Sequence, residues 1–208
     1  CGQAGHAMLL DTRTLEHSYI PLPEDIAIVV ADSRVRRSLA GSEYNVRRAQ
    51  CEQAVRVLRE AGLESLQALR DVTLEQLLQH AGALSPIVLQ RARHVITENA
   101  RVHATVAALQ RGDLETVGAL MKEGHLSLRD DYEVSAPELD LLVETAWTVP
   151  GCYGARLTGA GFGGCTIALV QAEAVEDLSS QLIARYLETF DREPAVYVVH
   201  PADGVAAQ

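Results

Sequence analysis

Arg156-Leu157-Thr158-Gly159-Ala160-Gly161-Phe162-Gly163-Gly164-Cys165 is the most informative run in the chain. Four glycines, Gly159, Gly161, Gly163 and Gly164, fall within six residues. Apolar and β-branched residues flank them, from Cys152 to Leu157 before and from Cys165 to Val170 after. The pattern predicts a strand, a glycine turn and a second strand. Glycine tolerates positive φ and lets another backbone or an anion come close. Successive amide N–H groups in such a turn make a concavity suited to phosphate. The spacing alone serves two readings: a phosphate-cradling loop, or a tight hairpin in which glycine merely relieves crowding. It is neither a strand-to-helix dinucleotide fingerprint nor a P-loop, since no Gly-Lys-Ser/Thr follows.

Downstream, residues 175–186 repeat apolar positions at helical spacing, and residues 195–200 read as a last strand. The C-terminal third, residues 152–200, is thus strand, loop, strand, helix, strand: an α+β layer with helices on a sheet. Upstream, residues 7–31 hold short strands. Residues 7–11 and 17–22 flank a turn, and the apolar run 26–31 reads as a strand buried on both faces. That strand delivers Asp32, Arg34, Arg36 and Arg37 at its end, where functional side chains often sit.

Residues 42–148 form a helical middle. Ser42 is the expected N-cap of a helix with Glu43 and Tyr44 in its first turn; Cys51, Ala54, Val55, Leu58 and Ala61 are its stripe and Gly62 its stop. Thr73 caps a short helix with Leu74, Leu77 and Leu78 inward. A long helix starts at Pro86 and ends at Gly112; Arg91, Arg93 and His94 read as solvated or partner-facing on it. Asp113 caps the next helix, with Leu114, Val117, Leu120 and Met121 inward. Residues 121–135 are rich in polar groups. His125 beside Asp130 or Asp131 could suggest acid–base chemistry, but no nucleophile accompanies them, and a loop stitched by side-chain hydrogen bonds is the favoured reading. Ser135 to Glu138 reads as a capping box ahead of a helix that buries Leu139, Leu142, Val143 and Ala146.

Composition narrows the function. The 208 residues suffice for one core, and the formal charge of −10 opposes nonspecific nucleic-acid or anionic-membrane binding. One Trp and two Phe offer little for stacking bases. No run approaches the ~20 apolar residues of a membrane span. Four scattered cysteines and seven scattered histidines show no metal-ligand spacing, so no metal site is expected, and reduced thiols point to the cytoplasm. The chain opens on Cys1 rather than Met, and the expectation is a piece of a longer gene product.

Three stretches carry a family resemblance: the glycine run; Ser42-Glu43-Tyr44-Asn45-Val46-Arg47-Arg48 with Gln50, Cys51 and Glu52; and His125-Leu126-Ser127-Leu128-Arg129-Asp130-Asp131-Tyr132-Glu133-Val134-Ser135. Together they resemble the galactokinases, members of the GHMP small-molecule kinase superfamily, over nearly the whole chain. Gly124 and Ala136 stand where the family pattern has Ser and Cys. The resemblance implies a GHMP-kinase-type C-terminal domain with an antiparallel ferredoxin-like sheet and packed helices. It implies ATP-dependent phosphorylation of α-galactose at its 1-hydroxyl, with Mg²⁺, in galactose catabolism. It assigns Tyr44 to the sugar. Gly159, Gly161, Gly163, Gly164 and the basic position Arg36 go to the phosphate or nucleotide side.

The family's Gly-Glu-His sugar motif, Gly-Leu-Ser-Ser-Ser phosphate loop and catalytic Asp do not occur here. ATP and Mg²⁺ are therefore expected to be held mainly by an N-terminal part absent from these residues. No catalytic residue is assigned, and Asp11 is not promoted to base. The expectation is a chain inactive alone, with apolar surface free for self-association. Two alternatives stay open: a non-catalytic sugar and nucleotide sensor, and an N-acetylgalactosamine kinase.

Overall fold

The computed structural model describes residues 2–36 and 40–204. A two-stranded hairpin of β1 (His6–Leu10) and β2 (His17–Pro21) leads into β3 (Ile26–Asp32). Five helices follow: α1 (Ala40–Glu60), α2 (Leu74–Gln79), α3 (Pro86–Gln110), α4 (Leu114–Asp130) and α5 (Pro137–Thr148). The chain closes with β4 (Cys152–Thr158), β5 (Cys165–Gln171), α6 (Val175–Phe190) and β6 (Ala195–Val199). Strands β3 to β6 form one antiparallel sheet in the order β4-β5-β3-β6. The first and third of these four strands are central and the second and fourth lie at the edges, which is the ferredoxin-like order expected above.

β3 is central because it can be covered on both sides, though unequally. Ala27, Val29 and Ala31 are fully buried against Leu142, Val143 and Ala146 of α5 and Leu178, Leu182 and Tyr186 of α6. On its other face Ile26 and Ile28 are only half-buried, against Leu114, Val117 and Leu169. The expected double-sided burial is therefore corrected to one sealed face and one partly open face.

The helical middle has its own core. Ala54 and Leu58 of α1 pack with Leu69, Leu77 of α2, and Val88, Ala92 and Ile96 of α3. The short helix is capped as expected: Thr73 accepts from the Gln76 amide and Gln76 returns the bond. Its apolar face is narrower than read, because Leu74 and Leu78 are exposed and only Leu77 is buried. Crossed ion pairs, Asp11 with Arg70 and Arg13 with Asp71, fasten the β1–β2 turn to this subdomain.

Several helix starts differ from expectation. α1 begins at Ala40, so Ser42 lies inside the helix rather than at its cap. α4 runs to Asp130, so residues 121–130 are helix and not loop; the polar residues there are the ends of a helix that faces the core. Ala136, not Ser135, is the N-cap of α5; Ser135 instead donates its hydroxyl to Asp140 at 2.5 Å. Arg91 and His94 are buried rather than solvated.

Candidate functional site

The site is assembled at the C-terminal end of β3. Ser33 follows the strand and donates both its amide (2.9 Å) and its hydroxyl (2.8 Å) to the Gly164 carbonyl. Gly164 in turn donates its amide to the Val35 carbonyl at 3.1 Å. Buried Tyr186 donates its hydroxyl to the Ser33 carbonyl at 2.7 Å, tying this corner to α6. The glycine turn between β4 and β5 is thereby stitched to the chain leaving β3.

Steric arguments separate the four glycines. A Cβ on Gly161 would lie 2.1 Å from the Val134 carbonyl oxygen, at a φ of +80°. One on Gly163 would lie 2.5 Å from the Val35 carbonyl oxygen. At these two positions crowding alone demands glycine. Gly159 and Gly164 differ: a Cβ on either would meet nothing within 4 Å. The Gly164 amide and carbonyl are already paired with Val35 and Ser33, so of these two positions the exposed backbone is that of Gly159. Phe162 sits between them at φ 62°, a conformation that a bulky side chain rarely adopts. It is held there by burial against Leu128, Val134, Leu139 and Leu157.

Tyr44 occupies the start of the second turn of α1, since the helix begins three residues earlier than read. The residue is 54% exposed. Arg47 lies three residues on and shares its helical face. The Arg47 guanidinium stands 5.7 Å from the centroid of the Phe162 ring. The start of α1 and the glycine turn therefore lie on the same side of the molecule. Arg34 and Arg36 are exposed on the loop after β3. Arg37, the third member of that cationic group, lies outside the described residues.

His125 is not a free acid–base group. It is fully buried on α4, and its Nδ1 accepts from the Leu157 amide at 3.3 Å. That fixes the proton on Nε2, which faces Asp140 Oδ1 at 3.2 Å without a well-aligned hydrogen bond. Trp147 packs edge-on against the ring. The imidazole anchors β4 one residue before Thr158, and Asp130 and Asp131 pair elsewhere, with Arg129 and Arg93. Arg156, first in the glycine run, pairs with Glu98 at 2.6 Å rather than facing the turn. Burial opposes ionisation of Glu98, but Arg156 and Arg101 outweigh it and hold the carboxyl below its ordinary range. Burial pushes the Cys165 thiol at the end of the turn upward, which makes it a poor nucleophile.

Among the described residues no group of three His, Cys, Asp or Glu side chains could hold a metal ion. Among the same described residues no helix is long and apolar enough to cross a membrane. A cavity of about 500 Å³ opens between α1, residues 67–70 and α3, lined by Cys51, Val55, Arg56 and Leu69 among others. It shares no residue with Tyr44 or the glycine turn. The candidate wall itself is an open face.

These features meet in one class. Residues 105–188 match the family model for the GHMP kinases C terminal. Within the class it is similar to galactokinases. It is 48% identical to the galactokinase of Roseiflexus sp. (strain RS-1) over 204 residues, which is 98% of this chain and 52% of that protein. Human galactokinase is likewise 48% identical over 204 residues, 98% of this chain and 50% of that one. The crystal structure of Lactococcus lactis galactokinase complexed with galactose superposes with a TM-score of 0.92 at 34% identity, covering 98% of this chain and 52% of that one. Leishmania major mevalonate kinase shares the fold at a TM-score of 0.60 and 22% identity. The chain spans about half the length of the galactokinases it matches.

Proposed function

We propose that this chain is the C-terminal half of a galactokinase, contributing one wall of a cleft in which ATP phosphorylates galactose at its 1-hydroxyl. The observation that carries the reading is spatial. The galactokinase-like helix start with Tyr44 and the galactokinase-like glycine turn are far apart in sequence, yet Arg47 over Phe162 brings them to one side. In this reading the Tyr44 phenol offers a hydrogen bond and an apolar ring face to the sugar. The exposed backbone at Gly159, with Arg34 and Arg36 on the loop after β3, faces the phosphates.

Phosphoryl transfer depends on positioning and charge neutralisation more than on covalent chemistry by the protein. The residues present here supply positioning. Among the described residues no cluster of His, Cys, Asp or Glu could hold a metal ion, and this reading assigns neither Mg²⁺ nor the base to them. Those parts belong to the preceding half in this reading, whose setting is the cytoplasm. Coupled ADP release tests it. The intact protein should turn over with galactose and far less with N-acetylgalactosamine, while residues 1–208 alone should stay at background. Preference for another acceptor, or galactose-dependent turnover by the isolated chain, would overturn it. An intact protein that binds both ligands without turnover would favour the sensor reading instead.

A further inference from the structure

Residues 131–134, between α4 and α5, form a strap whose four consecutive carbonyls all accept hydrogen bonds from outside the strap. The Asp131 carbonyl accepts from Arg91 Nη1. The Tyr132 carbonyl accepts from Arg47 Nε at 2.7 Å, and the Glu133 carbonyl from Arg47 Nη2 at 2.8 Å. The Val134 carbonyl accepts from the Phe162 amide in the glycine turn at 2.7 Å. Only Val134 of the four is buried, but the run of pairings from three separate segments holds the strap's path. Glu133 adopts a positive φ of 53°, a second unfavourable conformation next to that of Phe162.

Arg91 supplies one of these four bonds and also ties the strap to α1. It is 2% exposed in the second turn of α3, far from the glycine turn in sequence. Its three nitrogens reach three separate acceptors: Gln50 Oε1 on α1 at 3.1 Å, the Asp131 carbonyl, and Glu133 Oε2 at 2.5 Å. A lysine has one nitrogen on a flexible stem and cannot span that set. The guanidinium thus joins α1, α3 and the strap at one point. The strap passes the constraint on through the Val134 carbonyl, against which Gly161 is pressed and to which Phe162 is bonded.

We propose that Arg91 is a positioning residue for the glycine turn, acting through the 131–134 strap to hold Gly161-Phe162 in its strained form. The kinetic part rests on the reading that the turn faces ATP phosphates. It touches no substrate itself, so its loss should not act as a simple removal of contacts to galactose.

Hydrogen exchange followed residue by residue on the intact protein tests the structural part. In Arg91→Lys the Phe162 amide should exchange at least tenfold faster, while the Val29 and Ala168 amides at the sheet centre keep their wild-type protection. Glu133→Gln, at a half-exposed carboxylate whose loss should not threaten the fold, should give a smaller change of the same pattern. Unchanged Phe162 exchange in both variants overturns the proposal, and so does an equal rise at all three amides, which would mark Arg91 as general scaffolding. In the intact kinase, Arg91→Lys should raise the KM for ATP about tenfold, equivalent to ~1.4 kcal/mol, and leave the KM for galactose within about twofold. A lower kcat with both KM values unchanged would contradict it. A wild-type protein inactive on galactose would instead sink the functional reading and leave the exchange result standing.

Discussion

At the scale of single residues, chemistry near the glycine turn is decided by burial. His94 shows this. It sits between Ser127, to whose hydroxyl its Nδ1 is hydrogen-bonded at 2.9 Å, and the Tyr132 ring stacked at 4.5 Å. Burial pushes its pKa from 6.5 down to about 4; Glu98 and Asp131 raise it, Arg101 and Arg156 lower it further. The unfolded chain takes up a proton at this imidazole near pH 6.5, but the folded chain does not until about pH 4. Protonation therefore favours unfolding across that window, and stability should fall as pH drops through it. The contribution amounts to about 3 kcal/mol once pH is below both values. Urea unfolding at a series of pH values should show this loss in the wild type and a flatter profile in His94→Gln. Coincident pH profiles would show that His94 is not the source.

At the scale of elements, close approach of backbones positions the site. α4 lies against β4 because Gly118 and Gly154 face each other: a Cβ on Gly118 would stand 1.8 Å from the Tyr153 carbonyl oxygen. Alanine is the better helix former by about 1 kcal/mol, yet here it would force α4 and β4 apart. Gly118→Ala should lower stability in urea by about 2 kcal/mol net; a gain in stability would show that the contact yields freely. Such approaches explain what could be read from residue order and what could not. The strands either side of the glycine turn, the Thr73 cap and the α5 and α6 stripes follow local patterns and were legible. The course of α4 through residues 121–130 was not, because polar residues such as His125 and Ser127 there are paired across elements rather than with water. Ser135 looked like a cap, but its hydroxyl serves Asp140. Arg91 looked solvated, because nothing local shows that three acceptors from other segments converge on it.

At the scale of the whole molecule, the sheet and the helical middle are two cores joined by a third cluster around Phe162, Val134 and Leu157. That joint brings the Tyr44 end of α1 beside the glycine turn, which no spacing in the sequence reveals; only the family resemblance suggested it. The sealed face of β3 is toward α5 and α6, while its other face and the edge strand β6 leave Tyr197, Val198 and Val199 exposed. The functional reading depends most on Tyr44 standing in the sugar's path on a wall shared with the glycine turn. Steady-state kinetics of Tyr44→Phe in the intact kinase tests this most directly. Loss of one hydroxyl contact should raise the KM for galactose about tenfold, or ~1.4 kcal/mol, with the KM for ATP unchanged. A galactose KM equal to that of the wild type would contradict the placement of sugar against this helix.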